Sequence, residues 1–169
     1  MLGIAAARAD DADVKIGKFI PAEPPQPAPE VSFTDDVGAN VALADFRGRF
    51  LIVNLWATWC QPCLKEMPSL AALQQRIGPA LAVLAISEDR AGEDVVKPFA
   101  AKLSLDKLLK IYLDPKSAVG RAFGARGLPT SIVIDRDGLV LGKVEGQADW
   151  DSEAMRARLA TLMPPDVKR

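Results

Sequence analysis

The 169-residue sequence predicts an α/β domain in which helices flank a mixed β-sheet. Apolar runs of strand length alternate with segments whose apolar residues recur every three or four positions, which is the pattern of strands alternating with helices. Near the end of the chain, two further strand patterns flank the turn signal Asp137-Gly138 and precede one more helical segment. A sheet with both parallel and antiparallel neighbours accommodates both observations.

The first predicted elements are two short strands, Val31–Thr34 and Val41–Leu43. Phe50–Trp56 follows and is almost continuously apolar, as expected of a central strand that is buried on both faces. Gln61–Ile77 has apolar residues at helical spacing, and Gly78-Pro79 is a stop signal for this helix.

The second half continues the alternation and ends with a hairpin and a helix. The predicted elements are Leu81–Ser87 (strand), Glu93–Leu103 (helix), Lys110–Leu113 (strand), Ser117–Phe123 (helix), Thr130–Asp135 and Leu139–Glu145 (hairpin strands) and Ser152–Leu162 (helix). Ser152 is the expected N-cap of the last helix, because its hydroxyl can accept a hydrogen bond from an amide of the first turn.

Residues 1–30 are predicted to be a tail, and residues 31–169 the domain. Five prolines within Ile20–Glu30 favour an extended polyproline II segment over a helix or a central strand. We interpret this segment either as a loose tail or as a spacer that holds the domain off a membrane anchor. Met1–Ala9 ends in a small-x-small pattern and is either the remnant of an export signal or anchor, or an uninformative terminus.

The composition argues against several classes of function. The 21 basic and 22 acidic residues nearly cancel and form no strong block of one sign, so neither nucleic acid nor an anionic membrane surface is an expected partner. The chain has no histidine, which excludes His-based metal sites and His-dependent nucleophilic catalysis. No cofactor and no metal site are predicted.

Both cysteines of the chain lie in one motif, Cys60-Gln61-Pro62-Cys63, between the predicted central strand and the next helix. Free amides and the helix dipole favour an anion at a helix start, so Cys60 is expected to be the attacking thiolate. Cys63, one turn further, is expected to resolve the mixed disulfide. Pro62 suits the first turn, where its missing amide would have had no partner. A Cys-x-x-Cys motif at this junction indicates a thioredoxin-like fold.

Two other interpretations of the motif are weaker. A structural disulfide that closes only four residues would stabilise the fold by about 2 kcal/mol, which is low for a disulfide. A zinc site needs four ligands, so two cysteines without histidine would require carboxylates or a second molecule.

The segment Val53–Pro68 resembles the TlpA/ResA/CcmG-like thioredoxins, which are exported bacterial thiol-disulfide oxidoreductases usually tethered to the cytoplasmic membrane. Gly127-Leu128-Pro129-Thr130 resembles the cis-proline loop of that family, and the resemblance covers about residues 31–163. It implies a cis peptide bond before Pro129 and a Leu128 backbone that contacts the substrate beside Cys60. Trp59, next to Cys60, is expected to belong to an apolar contact surface, whereas Trp56 is expected to pack in the core. Trp150, outside these motifs, is expected to be a packing anchor at the start of the last helix.

The resemblance also concerns the proton of Cys63. Asn54 stands where cytosolic thioredoxins have a buried aspartate, so another group must accept this proton. Glu66 matches an acidic residue of the ResA/CcmG branch and is expected either to shuttle the proton as a partly buried carboxylate or to lie on a solvated helix face. Pro68 matches the mid-helix proline of the family and is expected to kink the helix.

The segment between Ser87 and Gly127 has room for an inserted helix and strand, Glu93–Leu113. Such an insertion, between the dithiol half and the cis-proline hairpin, is typical of the TlpA/ResA group. The chain lacks the Pro-x-x-x-Thr-x-x-Cys pattern of a peroxiredoxin.

We therefore expect an enzyme, a thiol-disulfide oxidoreductase. Gln61-Pro62 places no histidine between the cysteines, which favours a reductase over a strong oxidant. The family implies a periplasmic or otherwise extracytoplasmic location, a membrane electron donor, and exported disulfide clients such as apocytochrome c or assembly factors of cytochrome oxidase. The alternative is a binding module or copper(I) carrier that uses the dithiol without turnover.

Overall fold

Eight strands form one mixed sheet in the computed structural model, which describes residues 17–164. The strands are β1 (Phe19–Pro27), β2 (Ser32–Thr34), β3 (Asn40–Ala42), β4 (Phe50–Trp56), β5 (Leu81–Ser87), β6 (Ile111–Leu113), β7 (Thr130–Ile134) and β8 (Leu139–Glu145). The helices of this part of the chain are α1 (Gln61–Ile77), α2 (Glu93–Leu103), α3 (Ala118–Ala122) and α4 (Glu153–Leu162). The predicted α/β class and the predicted elements from Val31 onward are confirmed, with shifts of one or two residues at several ends.

Strand β4 lies in the interior of the sheet, whose order is β1-β8-β7-β4-β5-β6-β2-β3. It pairs parallel with β5 and antiparallel with β7, and all of its residues are buried. The carboxyl end of β4 therefore emerges in the middle of one sheet edge, and the dithiol follows four residues later.

Two hydrophobic clusters cover the two faces of the sheet, because successive strand residues point to opposite sides. Ile52 packs in the cluster that includes residues of α1, α2 and α4, and its neighbour Val53 packs in the cluster that includes Val119 of α3. Both cysteines belong to the first cluster. The dithiol is thus packed on the face of the sheet that α1 covers.

The predicted insertion is present as α2 and β6. Helix α2 begins and ends at the predicted residues, and β6 pairs parallel with β5 on the side away from β4. The insertion therefore widens the sheet beyond β5 before the chain returns to β7 beside β4.

Strand β1 corrects the prediction for the proline-rich segment. Phe19–Pro27 is an edge strand that pairs antiparallel with β8, with a register shift between Pro21 and Gln26. An edge strand has sheet hydrogen bonds on one side only, so prolines can occupy it although they lack an amide donor. The interpretation of these residues as a tail or spacer is therefore wrong, since they belong to the sheet.

The predicted signal or anchor at Met1–Ala9 lies outside the described residues. Within residues 17–164, no helix combines the length and the apolar character needed to span a bilayer.

Candidate active site

Cys60 and Cys63 form a disulfide at the start of α1, with their Cα atoms 5.3 Å apart. Cys60 is the N-cap of this helix, and the amide of Cys63 donates a hydrogen bond to its Sγ at 3.3 Å. Cys60 keeps 5% of its surface exposed and Cys63 keeps none. Cys60 is therefore the cysteine that a partner can reach, which supports its predicted role as the nucleophile.

Asp89 holds the loop that leads from β4 to Cys60. Its carboxylate accepts hydrogen bonds from the amide and the hydroxyl of Thr58 at 2.8 and 2.7 Å, and from the hydroxyl of Ser87 at 2.8 Å. Asp89 is buried, and these bonds fix the backbone two residues before Cys60. Asp89 was not predicted from the sequence, although an acidic residue just beyond the end of β5 is a usable signal.

Glu66 lies one helical turn beyond Cys63 and is only 1% exposed. Its Oε1 accepts a hydrogen bond from Asn54 Nδ2 at 2.7 Å, and its Oε2 accepts from the Ala148 amide at 3.0 Å and from Trp150 Nε1 at 3.2 Å. The alternative that Glu66 lies on a solvated helix face is therefore wrong, and its expected burial is confirmed.

Burial raises the pKa of Glu66 from its usual value of 4.5 to about 7. The hydrogen bonds from Ala148, Asn54 and Trp150 act in the opposite direction, because they favour the charged form, but they are outweighed by the loss of water. Near neutral pH the carboxyl group can therefore both take up and release a proton. Its transfer to or from Cys63 stays a prediction.

Asn54 connects Glu66 to the cis-proline strand. Its Nδ2 also donates to Ser131 Oγ at 2.9 Å, and Ser131 lies on β7 two residues after Pro129. This buried network joins α1, β4, β7 and the segment before α4. Trp150 was predicted only as a packing residue, and its full burial is confirmed. No local signal in the sequence indicates its hydrogen bond to Glu66.

The Leu128–Pro129 peptide bond is cis, as expected. Thr130 pairs with Leu55 near the end of β4, so the cis-proline loop lies beside the end of the strand that leads to the dithiol. Leu128 packs against the cluster that contains both cysteines. In the described part of the chain, neither the amide nor the carbonyl of Leu128 makes a hydrogen bond, so both can pair with another chain.

The remaining predicted site residues surround this centre. Gln61 and Pro62 are exposed at the start of α1, and Pro68 is exposed within the same helix. Trp59 is 71% exposed beside Cys60, which agrees with a contact surface, whereas Trp56 is fully buried.

Comparisons with known proteins agree with this geometry. The model of the AhpC/TSA family matches residues 24–142, which include both cysteines and Pro129. The thiol-disulfide oxidoreductase ResA of Bacillus cereus (strain ATCC 10987 / NRS 248) is 32% identical over 121 residues, which are 71% of this chain and 68% of that protein. The thioredoxin-like protein YneN of Bacillus subtilis (strain 168) is 32% identical over 117 residues, 68% of this chain and 67% of that protein.

A solved structure from Chlorobium tepidum has the same fold. It is described as a candidate thiol:disulfide interchange protein DsbE and is 28% identical, with a TM-score of 0.72 over 81% of this chain and 95% of that chain. The predicted thioredoxin-like fold is confirmed.

Proposed function

We propose that this chain, which belongs to the AhpC/TSA family and is a thiol-disulfide oxidoreductase of the TlpA/ResA/CcmG-like group, reduces disulfide bonds in exported proteins. The observation that carries the proposal is the position of Cys60, the more exposed cysteine, at a helix N-terminus close to Leu128, whose amide and carbonyl make no hydrogen bond within residues 17–164. A substrate strand that pairs with Leu128 would bring its own disulfide next to Cys60.

The reaction exchanges disulfide bonds in two steps. In the reduced protein, the Cys60 thiolate attacks one sulfur of the substrate disulfide; that bond breaks, and the other substrate sulfur leaves as a thiolate that takes up a proton. Cys63 then loses its proton and attacks the Cys60 sulfur of the mixed disulfide. The bond from Cys60 to the substrate breaks, and the substrate sulfur leaves as a thiolate that takes up a proton. The substrate thus departs with two thiols, reduced by two electrons, and the protein holds the Cys60–Cys63 disulfide.

Glu66 is our candidate for the base that receives the proton of Cys63. The two residues are one helical turn apart and both buried, so bulk water does not reach the thiol freely. A carboxylate with a pKa of about 7 is matched to proton transfer near neutral pH.

Charge near the dithiol supports the reducing direction. A pair becomes a strong oxidant when its surroundings stabilise the thiolate of the reduced form. Here no cationic residue separates Cys60 from Cys63, and an ionised Glu66 one turn away disfavours a second negative charge. Both features make the reduced form a better electron donor.

We place this activity outside the cytoplasm, with a membrane protein as electron donor. The resemblance to the TlpA/ResA/CcmG-like group supports this placement. It also makes apocytochrome c and copper-binding factors of cytochrome oxidase assembly the first clients to test.

Redox equilibrium with glutathione tests the direction. We expect a reduction potential nearer to that of thioredoxin, about −270 mV, than to that of the oxidant DsbA, about −120 mV. Reduction of a peptide disulfide should require Cys60, and Cys63→Ser should trap clients as mixed disulfides. A potential close to −120 mV would refute the reductase assignment. Stoichiometric copper(I) binding without any disulfide turnover would favour the carrier instead.

A further inference from the structure

A groove of about 520 Å³ opens beside the dithiol. One wall is the cis-proline loop at Arg126-Gly127-Leu128, and the other is formed by Trp59 and by Glu88–Arg90, which follow β5. Because Trp59 precedes Cys60, a substrate segment that pairs with Leu128 would extend along this groove.

The two acidic residues of the groove are directed into the protein. All three hydrogen bonds to the Asp89 carboxylate come from Thr58 and Ser87, as described above. The Glu88 carboxylate is half-buried against Gly120 of α3. Burial and the nearby Asp114 raise the pKa of Glu88. Both carboxylates of the groove are thus less exposed than its basic side chains.

The two basic residues of the groove face solvent. Arg90 is exposed and makes no ion pair or hydrogen bond within residues 17–164. The side chain of Arg126 is 80% exposed, and its Nη2 lies 3.1 Å from Glu145 Oε2. Glu145 is shared with Lys143, whose Nζ lies 2.6 Å from its Oε1, so one carboxylate serves two cations.

The exposed charge at this groove is therefore positive. An exposed ion pair contributes little and readily exchanges partners, so Arg126 can leave Glu145 for a substrate carboxylate. In an extended substrate, side chains two positions apart point to the same side, which places the residue two positions from the substrate cysteine over the groove.

We infer that the groove between Arg90 and Arg126 binds an acidic side chain two residues from the substrate cysteine, so that the enzyme prefers client segments with Asp or Glu at that distance from their disulfide. This inference rests on the proposed function and adds its substrate class.

Three peptides test the preference. They are identical except for Glu, Gln or Lys at the positions two residues before and two residues after one cysteine, which is held in a mixed disulfide with 2-nitro-5-thiobenzoate. Stopped-flow release of the coloured thiolate by reduced Cys63→Ser protein measures attack by Cys60 alone. We expect the Glu peptide to react fastest and the Lys peptide slowest, with differences that shrink as salt is added.

Charge reversal in the groove should remove this order. Arg90→Glu and Arg126→Glu, each in the Cys63→Ser background, should each lower the ratio of the Glu to the Lys peptide by roughly 2- to 5-fold. The double variant should invert the ratio. Lys102→Glu, on α2 and outside the groove, is the matched control for net charge and should leave the ratio unchanged.

The outcomes separate this inference from the proposed function. Equal rates for the three peptides, or the same ratio in all arginine variants, would overturn the groove inference while Cys60-dependent reaction of the Gln peptide upholds the oxidoreductase chemistry. A ratio that changes as much in Lys102→Glu would also overturn it. Failure of all three peptides to react would contradict the proposed function itself.

Discussion

Glu66 accepts three hydrogen bonds, yet burial brings its pKa up to about 7. The loss of hydration disfavours the charged carboxylate more than the three hydrogen bonds stabilise it. The charged and neutral forms are therefore close in free energy at neutral pH. General acid-base help requires such a balance. Among the residues near Cys63, this places Glu66 first for mutagenesis.

Glu66→Gln should slow the second step of the reaction and leave the first largely intact. Glutamine fills the same space but cannot take a proton from Cys63, so resolution should fall by about 10²- to 10⁴-fold and the mixed disulfide should accumulate. In the wild type, resolution should accelerate as pH rises through about 7, because Glu66 is a base only after it ionises. Rapid-quench trapping of free thiols at several pH values measures both steps.

Glu153→Gln removes an exposed carboxylate on α4 and is the control for this experiment. Resolution rates that agree between the wild type and Glu66→Gln at all pH values would leave water as the proton carrier.

The sequence predicts the reacting residues but not the residues that hold them. Cys60, Cys63 and Pro129 belong to local motifs with a defined spacing. The donors to Glu66 Oε2, in contrast, lie 82 and 84 positions after it, at Ala148 and Trp150. Only the fold brings these groups together, and a single sequence contains no pattern that pairs them.

At the scale of elements, the loop that carries Cys60 depends on the neighbouring strand. Trp56 at the end of β4 is opposite Ser87 at the end of β5, and the two strands are parallel. Both carboxyl ends therefore meet at one sheet edge, where Asp89 after β5 reaches Thr58 after β4. The residues that follow β5 thus position the start of α1, which follows β4.

Asp89→Asn should loosen this loop without unfolding the domain. An amide has one acceptor oxygen in place of two, so one donor of Thr58 or Ser87 loses its partner, at about 1–3 kcal/mol. We expect faster hydrogen exchange at the Thr58 amide and slower attack by Cys60, because its thiolate is less well placed. Exchange followed by mass spectrometry and stopped-flow attack rates measure the two effects.

Thr58→Val provides the matched control, since it removes the hydroxyl bond to Asp89 but keeps the amide bond. It should have the smaller effect on exchange. Unchanged protection of the Thr58 amide in Asp89→Asn would show that the loop is held by other contacts.

Elements with clear local boundaries were predictable, whereas β1 was not. Gly78 ends α1 at the predicted residue, because a turn with positive φ suits glycine. In β1 the prolines disrupt the pattern of a strand, and its stability comes from pairs such as Phe19 with Val144, 125 positions away. Proline content therefore predicts the extended backbone but not the partner strand.

At the scale of the whole molecule, acidic groups with lowered pKa values and those with raised pKa values make stability depend on pH in opposite directions. Hydrogen bonds from Lys110 and Arg76 lower the pKa values of Asp36 and Asp151 at the surface, so their contribution is lost as pH falls through those lowered values. The pKa of Glu66 is raised in the folded state, so between its usual 4.5 and about 7 the folded protein binds the additional proton. Its contribution is present at low pH and is lost as pH rises.

In the wild type, the free energy of unfolding of the oxidised protein should therefore include a contribution from Glu66 that is lost between pH 5 and pH 8. Glu66→Gln should lack this contribution. The shift in pKa corresponds to about 2 to 3 kcal/mol over this range. Denaturant unfolding of both proteins at the two pH values, with the disulfide intact, measures the difference, and contributions from the surface carboxylates cancel. Relative to the wild type, the free energy of unfolding of Glu66→Gln should be higher at pH 8 than at pH 5 by this amount. A difference that is the same at pH 5 and pH 8 would mean that Glu66 titrates near its usual value, and it would remove the basis for its role as a base at neutral pH.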